Sequence, residues 1–516
     1  MADLKRLKRD ISGKSAASPA PQVKRKYLRL AVAGAVVVLA LFALTLFRSS
    51  PIPTPLEDAI DSIAILPFEN MSNDSDWDFL SDGLSEGIIN SLSQFSDLKV
   101  ISRASSFRYR ELNFNPQTVG DDLGVRALVT GRVLVRGENL SIRAKLVDIQ
   151  ENSQLWGEEF NGKLREILEI RKGITMEILD KLRLRLTPEE KNQFTRTDTE
   201  DDQAYAAYLK GKFEQAKGTA RSYRRSIQHF EQATERDPNY ARAYAAQARS
   251  YYRLLPLLVM DSQEAISKAE KLAMKAMELD DKLAEPHAVL ADVKRSYHWD
   301  WEGADQEYQL ALELDPGSCE VPYAYALFMS GMGRHDEAVA LGTRAQELDP
   351  LNPSTRSSAA ARLRLGRQYE ESLEQSAMAM EMGPDSAGTY KNLGDTYEAM
   401  GRYVEAAAAW EKSLSLAGAV NRGVIGLSDA PTSAENYWRW WLDYFREKGR
   451  REFVSPVNWG EVYAQLGEKD QAFAQLEKAH QQHDGGLWSV NVDPVWDPIR
   501  DDPRFTDLLR RMNLAQ

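Results

Sequence analysis

Cysteine is all but absent: the 516 residues hold one, Cys319. A lone thiol excludes an intramolecular disulfide and any cysteine-rich zinc site. Histidine is scarce as well, with six in all (His229, His287, His298, His335, His480, His483) and no H-E-x-x-H among them. A zinc-protease helix therefore has no footing. Neither a Walker A loop nor a G-x-G-x-x-G after a strand occurs, so the chain offers no recognisable phosphate cradle. Positive charge is the minority, 65 Lys and Arg against 77 Asp and Glu for a net −12. Nucleic-acid binding needs clustered cations, and no nucleic-acid partner is expected. Long uncharged apolar runs are missing everywhere except at one place.

That place follows a basic arm. Residues 1–29 carry nine cations and two anions, and Leu30–Phe47 (LAVAGAVVVLALFALTLF) then runs eighteen residues without a charge. As a helix it measures about 27 Å, close to the hydrocarbon thickness of a bilayer. It exceeds a signal-peptide core, no small-residue cleavage site follows, and no polar position interrupts it at helical spacing. The expectation is an uncleaved single-pass anchor with a cytoplasmic N-terminus, an exported C-terminal bulk and an inner-membrane location. The arm suffices as a topology signal; contact with anionic lipid is its other reading. The arm and Arg48 together carry +8, which leaves −20 on residues 49–516.

After a Pro/Ser linker (48–60), residues 61–187 alternate in period. Ser62–Phe68 and Lys99–Ser102 fit short strands, Leu80–Phe95 and Pro116–Leu123 fit helices, and Ala127–Val135 with Leu140–Ile149 fits a hairpin around Arg136-Gly137-Glu138-Asn139. Gln154–Phe160 continues as a strand and Leu164–Leu186 as a long helix closed by Thr187-Pro188. A β-α-β-α-β-β-β-α order describes an α/β unit, a small sheet covered by helices. Its landmarks are Leu66-Pro67-Phe68, Asp82-Gly83-Leu84, Ser102-Arg103, Gly131 and Leu155-Trp156. On these residues the segment resembles the TolB amino-terminal-type domain and is similar to the FlgO type. The resemblance implies an envelope protein, or a regulator that joins this domain to TPR repeats and a cyclase or winged-helix domain.

Gly83-Leu84-Ser85-Glu86-Gly87 matches G-x-S-x-G. That chemistry needs the serine on a sharp turn after a buried strand, with Asp and His downstream. Here Ser85 falls in the opening turns of a helix and no histidine precedes His229. Packing glycines at a helix start are the expected reading, with an envelope hydrolase using Ser85 as the alternative.

From Asp202 onward a period emerges. Pro316, Pro350 and Pro384 stand 34 residues apart, each closing an alanine-rich helix. Thirty-four is the length of a tetratricopeptide repeat, two helices and their turns. In the clearest copy Gly394 and Ala406 mark the closest helix approach, while Tyr390, Tyr397 and Trp410 fill the space between pairs. The expectation is six repeats over 202–419, an aromatic-rich connector over 420–454, a separated pair over 455–482 and a C-terminal cap over 483–516. The chain resembles TPR proteins over roughly 204–482. The connector holds NYWRWWLDYF, Asn436–Phe445, whose helix is either core against the end of the solenoid or an interface, as aromatics serve both.

Function is then expected from shape: a non-catalytic envelope scaffold clasping an extended or helical peptide of a protein partner. Tyr323, Leu327, Arg364, Lys391, Asp395 and Glu398 would face the inner groove, with Trp438 and Trp441 on the connector. A membrane sensor passing an envelope signal to a partner is the alternative. No cofactor is expected and no metal, although His480 and His483 share a helix at i, i+3.

Overall fold

The computed structural model describes residues 60–110, 115–182, 199–255, 262–417 and 433–514. The arm, the apolar run at 30–47, the linker up to residue 59, the end of the long helix at 183–187 and the break at Gly418–Pro431 lie outside the described residues. Among the described residues no helix is long and apolar enough to cross a membrane.

Pro67 decides how the sheet begins. The strand expected over Ser62–Phe68 ends early as β1 (Ser62–Ile65), and a short β2 (Glu69–Asn70) follows. Proline has no N–H to give a ladder, and the next donor, Phe68 N–H, turns to Ser85 Oγ at 2.9 Å. The expected order otherwise holds, with one short helix added: α1 (Asp78–Leu92), β3 (Lys99–Val100), α2 (Arg103–Ser106), α3 (Pro116–Leu123), β4 (Ala127–Arg136), β5 (Asn139–Asp148), β6 (Ser153–Lys163) and α4 (Ile167–Lys181). The sheet runs β3-β1-β4-β5-β6, with β2 also on β4. Its first half is parallel and its second antiparallel. β4 and β5 pair through to Arg136↔Asn139, so the hairpin turns on two residues, Gly137 at φ +60 and Glu138. One face, with Ile63, Ile65, Val129, Ile142 and Leu146, packs on Leu84, Ile88, Ile174 and Ile178 of α1 and α4. α3 covers Ala64, Leu66 and Leu128 on the other.

Six helix pairs follow as expected: α5 (Asp202–Gln215) with α6 (Ala220–Arg236), α7 (Ala241–Leu254) with α8 (Ser262–Leu279), α9 (Ala284–Val293) with α10 (Trp301–Leu314), α11 (Glu320–Gly331) with α12 (His335–Leu348), α13 (Pro353–Leu365) with α14 (Tyr369–Met382), and α15 (Ala387–Ala399) with α16 (Tyr403–Leu416). A Cβ on Gly394 would lie 2.5 Å from the Trp410 ring, the close approach that the glycine was expected to permit. This is a TPR-type helical solenoid.

The α/β unit does not hang free of the solenoid. Tyr205, Leu209, Ala233 and Tyr240 of the first repeats belong to the same apolar core as Leu84 and Ile178. A Cβ on Gly83 would stand 2.6 Å from Leu209 Cδ2, so the glycine of the G-x-S-x-G phrase serves helix packing. Further along, the unit binds the inter-repeat turns. Ser93 Oγ–H donates to Asp315 at 3.0 Å, and Gly317 N–H donates to Ser93 O at 2.9 Å. One repeat later Asp349 accepts from Ser102 and, at 2.6 Å, from Ser105. Arg108 reaches the carbonyl of Leu351 in that same turn and that of Met382 one repeat on.

The C-terminal segment also turns back. α17 (Ala434–Gly449), α18 (Pro456–Gln465) and α19 (Lys469–Gln481) lead into 3-10 turns at Gly485–Ser489 and Pro494–Ile499 and a last helix, α20 (Pro503–Arg511). Asp484, Asp493 and Asp502 cap these three elements by accepting the N–H two residues on, and proline follows at the first helical position in two of them. Trp496, Phe505, Leu487 and Phe473 share one core with Trp301, Tyr308 and Phe328 of the third and fourth repeats. Trp301 Nε1–H donates to Met512 O at 2.6 Å. We call residues 485–514 the clasp.

Candidate functional site

Ser85 has no nucleophile's setting. It is fully buried; its Oγ accepts from Phe68 N–H, and its own proton goes to Ser81 O at 3.1 Å. No base can approach, and the hydrolase reading falls. His480 and His483 have a structural use. The His483 ring stacks on Tyr297 and Trp299 at 4.8 and 4.9 Å, with Nδ1 at 2.9 Å from Tyr297 O, and His480 lies against Trp299 at 4.9 Å.

Of the groove residues expected from the sequence, Arg364, Lys391, Asp395 and Glu398 come within electrostatic reach of one another, and the C-terminal segment of the chain meets two of them. Arg364 holds Asp493 of the clasp in a two-pronged pair at 2.7 and 3.0 Å, and Arg367 holds Asp497 likewise at 2.8 and 2.9 Å. Lys391 pairs with Asp395 at 2.7 Å, and Glu398 accepts from the Tyr437 hydroxyl at 2.8 Å. Tyr323 and Leu327 on α11 stay half-buried, eight and four residues ahead of Gly331, where a Cβ would lie 2.8 Å from the Trp488 ring. Arg364 and Glu398 thus already have partners in the C-terminal segment, whereas Lys391 is exposed. Trp438 and Trp441 are 4% and 5% exposed, in a cluster with Tyr437, Leu442, Tyr444, Phe445 and Ala407. The connector helix is core, and the interface reading of those two tryptophans is corrected accordingly.

The filled half is electrostatically crowded. Burial and then Asp493 push the Glu461 carboxyl up to about 8. Burial and then Asp395 also raise Glu398. Burial would raise Asp493 too, but Arg364 more than reverses that and holds it below the usual carboxylate range.

Toward repeats two to four the clasp places its Trp488 ring 5.7 Å from the Arg295 guanidinium carbon. Lys212 on α5 bridges to Glu86 of α1 at 3.3 Å. Glu320, at the start of α11, is exposed yet crowded by protein. The crowding pushes its carboxyl up, and the charges of Arg249, Arg253 and Lys212 outweigh it, so the group sits below its ordinary range. Glu285 on α9 acts on the same Lys212 and Arg249. Helices α1, α5, α7, α9 and α11 thus bring charged side chains within electrostatic reach of one another. Among them Arg249 donates to Asp292 at 2.6 Å, and the Tyr308 hydroxyl donates to the same carboxylate at 2.7 Å. Sequence reading passed over these residues because the early repeats are loosely registered. The inward charges Arg249, Asp292 and Arg295 on alanine-rich helices were the available signal.

Residues 59–176 match the family model of the HilA/YgeH-like transcriptional regulators, second domain. The match falls on the α/β unit, where a TolB amino-terminal type was expected. A "putative adenylate cyclase 3" of Rhizobium meliloti is 30% identical over 245 residues, 46% of this chain and 41% of that protein. The "transcriptional regulator HilA" of Salmonella typhimurium is 28% identical over 144 residues, 28% of this chain and 26% of that one. A solved Pseudomonas aeruginosa structure, from work on the functional characterization of pilF, covers 50% of this chain and 97% of its own at 17% identity and a TM-score of 0.30. The chain spans about two fifths or less of the length of these curated relatives.

Proposed function

We propose that this chain is a non-catalytic scaffold anchored in the inner membrane by residues 30–47, with its bulk outside the cytoplasm, binding protein partners in the recess of its first four repeats. One observation carries the reading: a solenoid whose inner face is half filled by its own C-terminus keeps charged, solvent-reached side chains in the other half. Mixed charge on a curved helical surface suits recognition of a polypeptide, since electrostatic complementarity sets specificity. The basic arm and the −20 body support the orientation.

The test is photo-crosslinking in living cells from a probe at Lys212, with a probe at the outward Met274 as control. Partners captured only from Lys212 support the proposal; identical capture from both positions defeats it. A reporter fused after Gln516 should be active only outside the cytoplasm.

A second reading, a regulator that relays an envelope signal, has its own support in the match of residues 59–176 to the second domain of transcriptional regulators. Replacing residues 1–47 by an unrelated anchor separates the two. A scaffold keeps its partners after the exchange, whereas a transmembrane relay loses its output.

A further inference from the structure

A strip of positive charge crosses the acidic body at the first repeat. Residues 215–230 hold four cations, Lys217, Arg221, Arg224 and Arg225, and no Asp or Glu. All four are exposed. Lys217, on the turn before α6, and Arg225 both draw on Glu214, at 2.8 and 3.8 Å. Arg221 has no carboxylate within ion-pair distance among the described residues. The placement works against the helix. Arg221 stands three residues from Arg224 and four from Arg225, like-charge neighbours that weaken a helix. These arginines also lie near the start of α6, where the peptide dipoles already present positive charge. The second helices of the other five pairs answer that dipole with an acid in the first turn: Glu264, Glu302, Asp336, Glu370 and Glu405. α6 has none. Thr219 and Ser222 already cap its end, each accepting the other's N–H, at 3.1 and 2.9 Å. What the strip offers is therefore its side chains, held there at a cost in helix stability.

We propose that this strip docks an acidic, extended segment of a partner protein, a step that rests on the scaffold reading above. Arg221 and Arg225 are one turn apart, about 6 Å along the helix. Alternate side chains of an extended chain repeat at about 7 Å. Carboxylates at every second residue therefore meet successive guanidiniums, whose planar forks match the two carboxylate oxygens. Residues 49–516 carry −20 overall, so the rest of the body repels such a segment and charge fixes where it lands. A bilayer of anionic lipid fits less well. A plane laid on the start of α6 extends over the neighbouring repeats, whose second helices begin with Glu264 and Glu302. A segment one repeat wide avoids them.

The full chain is titrated with acetyl-pentaglutamate amide by calorimetry, beside acetyl-pentalysine amide and glycerol phosphate, the headgroup of an anionic lipid in soluble form. Saturable pentaglutamate binding is expected, about tenfold weaker in the double variant Arg221→Glu, Arg225→Glu. It should be unchanged in Arg236→Glu, Lys282→Glu, two exposed cations away from the strip whose reversal alters the net charge equally. Pentalysine should not bind. The strip variant should also unfold at no lower urea concentration than wild type, since it relieves the dipole and the like-charge pairs; arginines serving only the fold would cost stability when reversed. Unchanged affinity in the strip variant overturns the proposal, and so does equal weakening in both variants, which is a response to net charge alone. Glycerol phosphate bound as tightly, with the same sensitivity, assigns the strip to lipid and overturns the peptide. Should the strip variant not fold, Arg221→Gln, Arg225→Gln is judged by the same binding criteria. If Lys212 captures partners in cells while pentaglutamate does not bind, the scaffold reading stands and this contact falls. If pentaglutamate binds through the strip but Lys212 captures nothing, the reverse holds.

Discussion

The two halves of the solenoid's inner face are built from the same helical repeat and carry the same kinds of side chain, yet their charges are settled by different parts of the chain. In repeats four to six, Arg364 and Arg367 grip Asp493 and Asp497 of the clasp. In repeats two to four, Arg253 and Glu320 face solvent and Arg295 shares a carboxylate with Arg249. Groove position alone does not therefore identify a binding residue. What distinguishes a site is a charge whose partner is not already supplied.

The strongest way to break this contrast is to remove what fills the occupied half. Trp496→Ala empties a side chain that is 2% exposed, at the centre of the core joining the clasp to repeats three and four. It is expected to cost about 3–5 kcal/mol in urea unfolding; a loss below 1 kcal/mol would mean that the clasp is not held there. Next comes the ion pair. Arg364→Ala leaves Asp493 without its counter-charge and should cost about 2–3 kcal/mol, somewhat less than a fully buried pair because both side chains keep slight exposure. A double-mutant cycle with Asp493→Ala should show a coupling of about 1–2 kcal/mol. In the open half, Arg253→Ala should change stability by no more than about 0.5 kcal/mol. Equal costs on the two sides would erase the distinction.

Acidity sharpens the comparison further. Glu461 in the filled half has its carboxyl raised from 4.5 to about 8. Between those two values the folded chain holds a proton that the unfolded chain has released, so stability falls as pH rises through the window. Glu461→Gln should flatten that fall and unfold at higher urea than wild type at pH 8.5, with no gain at pH 4.5. An unchanged slope would place the carboxyl in ordinary solvent. Ser85→Ala lies outside both halves. Losing the bond to Phe68 N–H costs about 1 kcal/mol, and crosslinking from Lys212 should be unaffected.

The sequence shows the repeats plainly because their period is local: Pro316, Pro350 and Pro384 close successive pairs, and Gly394 sits under Trp410. The hairpin was equally legible from its alternation and Gly137. The short β2 was not, since two residues beyond a proline carry no pattern. The inward face of repeats four to six could be read from helical spacing, but its occupant could not. Asp493 lies 129 residues beyond Arg364, and nothing periodic links them. The same applies to Trp438 and Trp441, whose helix reads alike whether it meets a neighbour or a partner.

Repeat arrays commonly gain and lose units over evolution, because each unit touches only its neighbours. Here Ser93 grips Asp315 while Ser102 and Ser105 grip Asp349, so the α/β unit works as a gauge set to one repeat of pitch. Splicing out a pair between those aspartates, or duplicating one, would put the next turn out of reach of its serines. The clasp would overshoot or fall short of Trp301 in the same way. An array tied at both ends cannot change length without breaking these contacts.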